Sequence, residues 1–165
     1  MRSLLVGSVL VLCAQASADP LWDAEVRLGY GVAMGGGGGM TSTRASPLSI
    51  AALGSVAFDD DPHLSGYGGA TFETLDRNSI GTLFGVKLQP HDSMLRFTGG
   101  GTWIFAPYTL WGATASAGAC HHKAGGGLGL CGDVLLTSYF AGTDLAPHHT
   151  VTQLQLTLGV VFDAL

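Results

Sequence analysis

The chain has 165 residues, enough for one domain, with a net charge of −5 and no basic stretch of the kind that binds nucleic acid. Only 12% of its residues are charged, against about 25% in ordinary soluble domains, while 47% are apolar and 26 are glycine. That balance excludes a disordered chain, and no apolar run beyond residue 20 approaches the roughly 18 residues of a membrane helix.

Residues 1–18 read as an export signal. Arg2 supplies the positive start, Leu4 to Cys13 the short apolar run, and Ala16-Ser17-Ala18 a small-residue cleavage site before Asp19. Cys13 lies inside the apolar run behind Leu12, which does not fit a lipid-attachment site. The mature domain is expected to span 19–165, keeping Cys120 and Cys131, which an oxidising compartment leaves free to pair.

The mature chain then alternates with a period of two. The first strand, 22–33, sets Trp22, Ala24, Val26, Leu28, Tyr30 and Val32 against Asp23, Glu25 and Arg27. The glycine run 35–39 and the polar residues up to Pro47 are expected to form a long flexible loop. It resembles a phosphate-cradling loop only in its glycines, since no Gly-Lys-Ser/Thr follows. Strand two spans about 48–58, and Asp59-Asp60-Asp61-Pro62 reads as a solvated turn, because a calcium loop needs carboxylates spread over some twelve residues. Strand three (64–75) carries Leu64, Ala70 and Phe72 opposite Tyr67, Thr71 and Glu73. Asp76-Arg77-Asn78 turns into strand four (79–89), where Ile80, Phe84, Val86 and Leu88 oppose Lys87.

Strand five (94–105) sets Leu95, Phe97, Trp103 and Phe105 against Arg96, Thr98 and Thr102. Strand six (109–120) sets Trp111 and four alanines against Gly112, Thr114, Ser116 and Gly118. Strand seven (128–140) sets Leu128, Leu130, Val134, Leu136 and Phe140 against Cys131, Asp133, Thr137 and Tyr139. The closing strand, 152–162, is the cleanest: Leu154, Leu156, Leu158, Val160 and Phe162 alternate with Gln153, Gln155, Thr157, Gly159 and Val161.

Eight strands of about 11 residues match the length that crosses a bilayer at a tilt, whereas globular strands are commonly about 5 or 6. Every charged residue within them, namely Asp23, Glu25, Arg27, Glu73, Lys87, Arg96 and Asp133, falls opposite the apolar face. A lysine or arginine facing lipid at the midplane costs about 2–4 kcal/mol, so these seven are expected to form an ion-paired network in a packed polar lumen, helped by Tyr67, Tyr139, Gln153 and Gln155. The apolar residues of the closing strand then face lipid. A soluble lipocalin-like barrel in the periplasm is the alternative, and it predicts the reverse, an apolar interior with a charged exterior. Aromatic residues fall into two bands. Tyr30, Phe72, Trp103, Phe105, Trp111 and Phe140 lie near one end, and Trp22, Phe58, Phe97 and Phe162 near the other, as in the girdles of a membrane barrel.

With these features the chain resembles the small eight-stranded outer-membrane barrels of the OmpA-like and OmpX-like type, a likeness of architecture that covers the whole mature chain. It implies an all-β, antiparallel, up-and-down transmembrane barrel in the outer membrane of a Gram-negative envelope. It also implies a monomer that contacts outer-membrane lipid and lipopolysaccharide and is inserted by the barrel assembly machinery. The group commonly ends on its aromatic residue, whereas Asp163-Ala164-Leu165 follow Phe162 here.

No catalytic constellation, metal set or cofactor motif stands out. Eight strands enclose a space that side chains fill, which disfavours a wide pore. A tight turn centred on Gly125-Gly126 places Cys120 opposite Cys131 on the lumen face, which predicts a disulfide. A zinc site from those cysteines with His121 and His122 is disfavoured, because adjacent histidines on an extended backbone point apart. His91-Asp92-Ser93 resembles the histidine and serine of a lipid-deacylating barrel, the enzymatic alternative, but it falls in a turn at the periplasmic end, away from outer-leaflet lipid. The expected role is structural, adhesive or surface-interacting, with specificity in the loops near 34–47, 76–78, 106–108 and 141–149.

Overall fold

The structure, a computed structural model, describes residues 22–37, 40–58, 64–75, 78–90, 93–122 and 127–163. The export signal at 1–18, the aspartate turn at 59–62, Asp76, Arg77, His91, Asp92 and the glycines at 125–126 lie outside these residues. Among the described residues the regular structure is entirely β: β1 (Trp22–Gly37), β2 (Met40–Ala45), β3 (Leu48–Ala57), β4 (Leu64–Thr74), β5 (Ser79–Leu88), β6 (Leu95–Ala106), β7 (Leu110–His122), β8 (Leu128–Gly142) and β9 (Thr150–Asp163).

All neighbours are antiparallel, and β9 pairs with β1 over fourteen residue pairs, from Asp23↔Asp163 to Gly36↔Thr150, so the sheet closes on itself. The nine segments make eight barrel staves, because β2 and β3 are one stave broken at Ser46-Pro47. Here the structure corrects the expected loop. Gly35 to Gly37 extend β1, and residues 40–45 fold back on it with Gly37 opposite Met40, forming a hairpin that rises past the barrel. The register along β1 slips by one residue between β3 and β2. Gln155 of β9 pins the break, donating from Nε2 to Ser46 Oγ at 3.2 Å and to the Pro47 carbonyl at 3.0 Å. Proline lacks the N–H that a continuous ladder needs, which fixes the break at this point.

Following paired residues once around the wall leads from Asp23 through Ser55, Tyr67, Gly85, Gly100, Thr114, Thr137 and Gln153 to Ala33. The circuit returns ten residues further along β1. An even stagger returns an inward residue to an inward residue, so the two faces of every strand stay consistent around a closed wall.

The inside is polar and the outside apolar. Glu25, Arg27, Glu73, Arg96, Asp133, Gln153, Gln155 and Thr157 are buried, whereas twenty-nine large apolar side chains are exposed among the described residues. In β9, Leu156 and Leu158 are 71% and 73% exposed, Leu154 and Phe162 are exposed, and Val160 is half-buried. The lumen is less uniformly polar than the alternation implies. Leu53 and Leu83 pack with Ala51 and Tyr67, and Ile104 and Leu135 also point inward. Eight strands enclose a space narrow enough for a few aliphatic side chains to seal gaps between polar groups.

Candidate functional site

Among the described residues chemistry-bearing side chains converge in the interior, which divides into two halves. The inner half, at the end where β1 begins and β9 finishes, holds Glu25 and Arg27 on β1, Arg96 on β6 and Asp133 on β8. Arg96 is 1% exposed and forks onto two carboxylates. Its Nε donates to Asp133 Oδ1 at 2.7 Å, with a second bond from Nη2 to Asp133 Oδ2, while Nη1 and Nη2 reach Glu25 Oε2 and Oε1 at 3.0 and 2.8 Å. Arg27 grips Glu25 from the same strand, Nε to Oε1 at 3.0 Å and Nη2 to Oε2 at 3.1 Å. Two guanidiniums and two carboxylates cancel, and the planar fork of arginine suits this bidentate pairing.

Glycine makes the approach geometrically feasible. Gly118 lies in register between Arg96 and Asp133, and a Cβ there would overlap Asp133 Oδ1. Gly159 leaves the matching space for Glu25 Oε1. Closer to the inner rim, Lys87 bonds Asp23 and reaches Ser55 Oγ at 2.9 Å, a second neutral pair that is partly open to solvent. The inner rim also carries the Cys120–Cys131 disulfide, buried against Val161 with the two cysteines directly opposite in register.

The outer half is built differently. Glu73, 5% exposed, receives neutral donors: the Ser79 hydroxyl on Oε2 at 3.1 Å and the Tyr139 hydroxyl on Oε1 at 3.2 Å, with Gln153 also bonded to it. Of the seven charged residues expected to pair, Glu73 therefore stands outside both ion-paired groups. Beside it is a cavity of about 20 Å³, bordered by Arg27, Thr71, Thr102 and Gln153 and by the apolar Leu83 and Leu135. That volume admits about one water-sized occupant.

The other residues weighed from the sequence are placed apart from this interior. Ser93 sits in the inner turn between β5 and β6, where its Oγ accepts from the Leu95 N–H at 3.0 Å, a turn-capping bond. Cys120 and Cys131 are bonded to each other, and His121 is exposed at the inner rim. His149 belongs to the outer turn between β8 and β9, with Nδ1 3.0 Å from the Pro147 carbonyl and its ring lying over Gly37 of the hairpin. On the outer surface near this end, Trp103 and Trp111 stack at 4.7 Å with an interplanar angle of 4°, and Phe105 tilts onto Trp103 at 5.4 Å. Sequence reasoning had no means of finding the cavity, or the function of Gly118 and Gly159 as space for carboxylates, because both depend on which strands become neighbours.

No protein-family model matches the chain, and neither does any curated protein. Six chains of solved structures match it. Among them is the crystal structure of Neisserial surface protein A (NspA), with a TM-score of 0.55 and 9% sequence identity over 87% of this chain and 97% of that one. At that identity the likeness is one of fold, and the chain is a small, closed, eight-stranded antiparallel barrel similar to this surface protein.

Proposed function

We propose that this chain is an exported outer-membrane barrel that acts as a rigid, sealed scaffold presenting loops to the cell exterior. One observation carries the proposal: the barrel is inverted, with charges inside and an uncharged apolar belt outside. A soluble monomer rarely exposes an apolar patch above roughly 300–600 Å², and a belt around a whole barrel exceeds that by far. Lipid is the solvent in which such a surface is stable, and a closed wall satisfies the backbone groups that lipid cannot. The lipocalin-like alternative needs the opposite polarity. The envelope-lipid enzyme needs a catalytic set at the outer end, and Ser93 caps a turn at the inner one.

In this reading the belt contacts outer-membrane lipid and lipopolysaccharide, and the stacked Trp103 and Trp111 sit at the outer interface with one face in lipid and the other near headgroups. The barrel assembly machinery inserts the chain, and the β1–β9 seam leaves the finished wall without an open edge, consistent with a monomer. The β1/β2 hairpin and the turns near 75–78, 107–109 and 143–149 share the outer end and would hold any adhesive or surface-binding specificity. Envelope fractionation combined with detergent gels of unheated and heated samples tests the reading. The expected outcome is recovery with the outer membrane and a heat-modifiable shift in mobility. Recovery wholly in the soluble fraction, without that shift, would overturn it.

A further inference from the structure

At the outer end, β9, the upper part of β1 and β2 form a three-stranded flap, and β2 is its edge. The Ser46 N–H donates to the Gly31 carbonyl at 2.9 Å, which fixes the phase of the ladder between β1 and β2. Backbone groups alternate sides along a strand, so those of Ser42 and Arg44 point to β1, and those of Thr41, Thr43 and Ala45 point away from it. No backbone hydrogen bond from the described residues reaches these three on that side. The neighbouring stave is missing at this height, because β4 stops at Thr74, opposite Leu48, and Leu75 turns the chain aside at a φ of 83°. Beside β2 there is therefore a gap one strand wide, with Leu75, 73% exposed, at its foot.

The edge carries few of the devices that blunt exposed edges in other proteins. Thr41 to Ala45 are exposed, contain no proline and form no bulge against β1. The one charge, Arg44, is on the lumen-facing side, in register with Ala33. An unpaired edge offers N–H and C=O groups at the spacing of an extended main chain, a repeat that sugars and lipids do not match. Thr41 and Thr43 favour β-branched residues across the ladder, and Leu75 favours an apolar one at the foot.

We propose that the free edge of β2 binds an extended, uncharged, β-branched segment of another protein, which adds antiparallel as the next strand and sets its first, apolar residue on Leu75. The inference deepens the surface-binding role described under Proposed function and rests on that reading, which puts this edge on the cell exterior. Main-chain bonds to Thr41, Thr43 and Ala45 hold the segment, and the gap above the β4–β5 turn gives it room.

The probe is a short synthetic peptide that begins with leucine and continues as alternating threonine and valine, N-methylated on every second residue so that one edge alone can pair. The full barrel is folded in detergent and scored first by heat-modifiable mobility. A chain that fails there contradicts the outer-membrane reading, whereas one that folds and ignores the peptide contradicts this inference alone. Amide hydrogen exchange followed by NMR should find Thr41, Thr43 and Ala45 fast without the peptide and slowed by it, with Ser42 and Arg44 slow throughout. A peptide methylated on every nitrogen should slow none of them. Thr43→Pro removes an N–H that β1 does not use, so the barrel should fold as before while peptide affinity falls about tenfold. If that variant fails to fold, Leu75→Asn, which suits the positive φ, should fold and weaken the peptide severalfold. Slow exchange at Thr41, Thr43 and Ala45 before any peptide is added would mean that the edge is already covered, by this chain or by a second copy. That result, equal binding of the fully methylated peptide, or unchanged affinity in Thr43→Pro or Leu75→Asn would each overturn the proposal.

Discussion

The two halves of the lumen face the same requirement, polar side chains inside a narrow closed wall, and meet it by different means. In the inner half Arg96 forks between Glu25 and Asp133, Arg27 closes the group, and every charge lies against an opposite one. In the outer half Glu73 rests on hydroxyls and an amide beside an open space. The contrast shows that burial alone does not decide how a charge is held in a barrel; the backbone around it does. Gly118 and Gly159 let the inner carboxylates and guanidiniums close to contact, whereas the groups that bond Glu73 are the neutral Ser79, Tyr139 and Gln153.

The largest effect should come from breaking the inner group. Arg96→Met leaves Glu25 and Asp133 without their shared cation, and removing one partner of a buried pair costs about 3–5 kcal/mol. Urea titration of the heat-modifiable band should show the midpoint fall steeply, and a midpoint within error of wild type would erase the distinction between the halves. Next comes the inner rim. Cys120→Ala with Cys131→Ala opens a short loop, with an expected loss of about 2–3 kcal/mol in the same titration. In the native protein these cysteines should react with thiol reagents only after reduction, so equal labelling without reductant would contradict the pairing. The smallest effect should come from Glu73→Gln. It removes no ion pair of the inner kind, and Ser79 and Tyr139 can rotate their hydroxyls to suit an amide, so the change should stay within about 1 kcal/mol. A loss as large as that of Arg96→Met would mean that the outer half is held by charge as well.

Much of this was legible in the chain because alternation survives wherever side chains differ. The closing strand assigns Leu154, Leu156 and Leu158 outward and Gln153, Gln155 and Thr157 inward, and these residues lie on those faces. The β1/β2 hairpin was hidden for the converse reason. Glycines 35–39 have no side chain to alternate and Thr41-Ser42-Thr43 are uniformly polar, so a strand pair leaves no period to read there. Leu53, Leu83 and Leu135 went unassigned because a two-letter pattern of apolar and polar sends every leucine outward, and only packing density decides which ones fill the lumen. Which charge meets which was illegible too. Arg96 and Asp133 are 37 residues apart, and their contact follows from the stagger of the closed wall and from Gly118 between them.

The central claim is that the apolar exterior faces lipid, and the chain carries its own reporters. It has three tryptophans, Trp22, Trp103 and Trp111, all on the outer surface, with Trp22 and Trp111 exposed and Trp103 stacked beneath Trp111. The native barrel reconstituted into vesicles containing brominated lipid needs no substitution for the measurement. Lipid contact predicts strong quenching of tryptophan fluorescence by the brominated chains and weak quenching by aqueous iodide. Fluorescence indifferent to brominated lipid and quenched by iodide would contradict it.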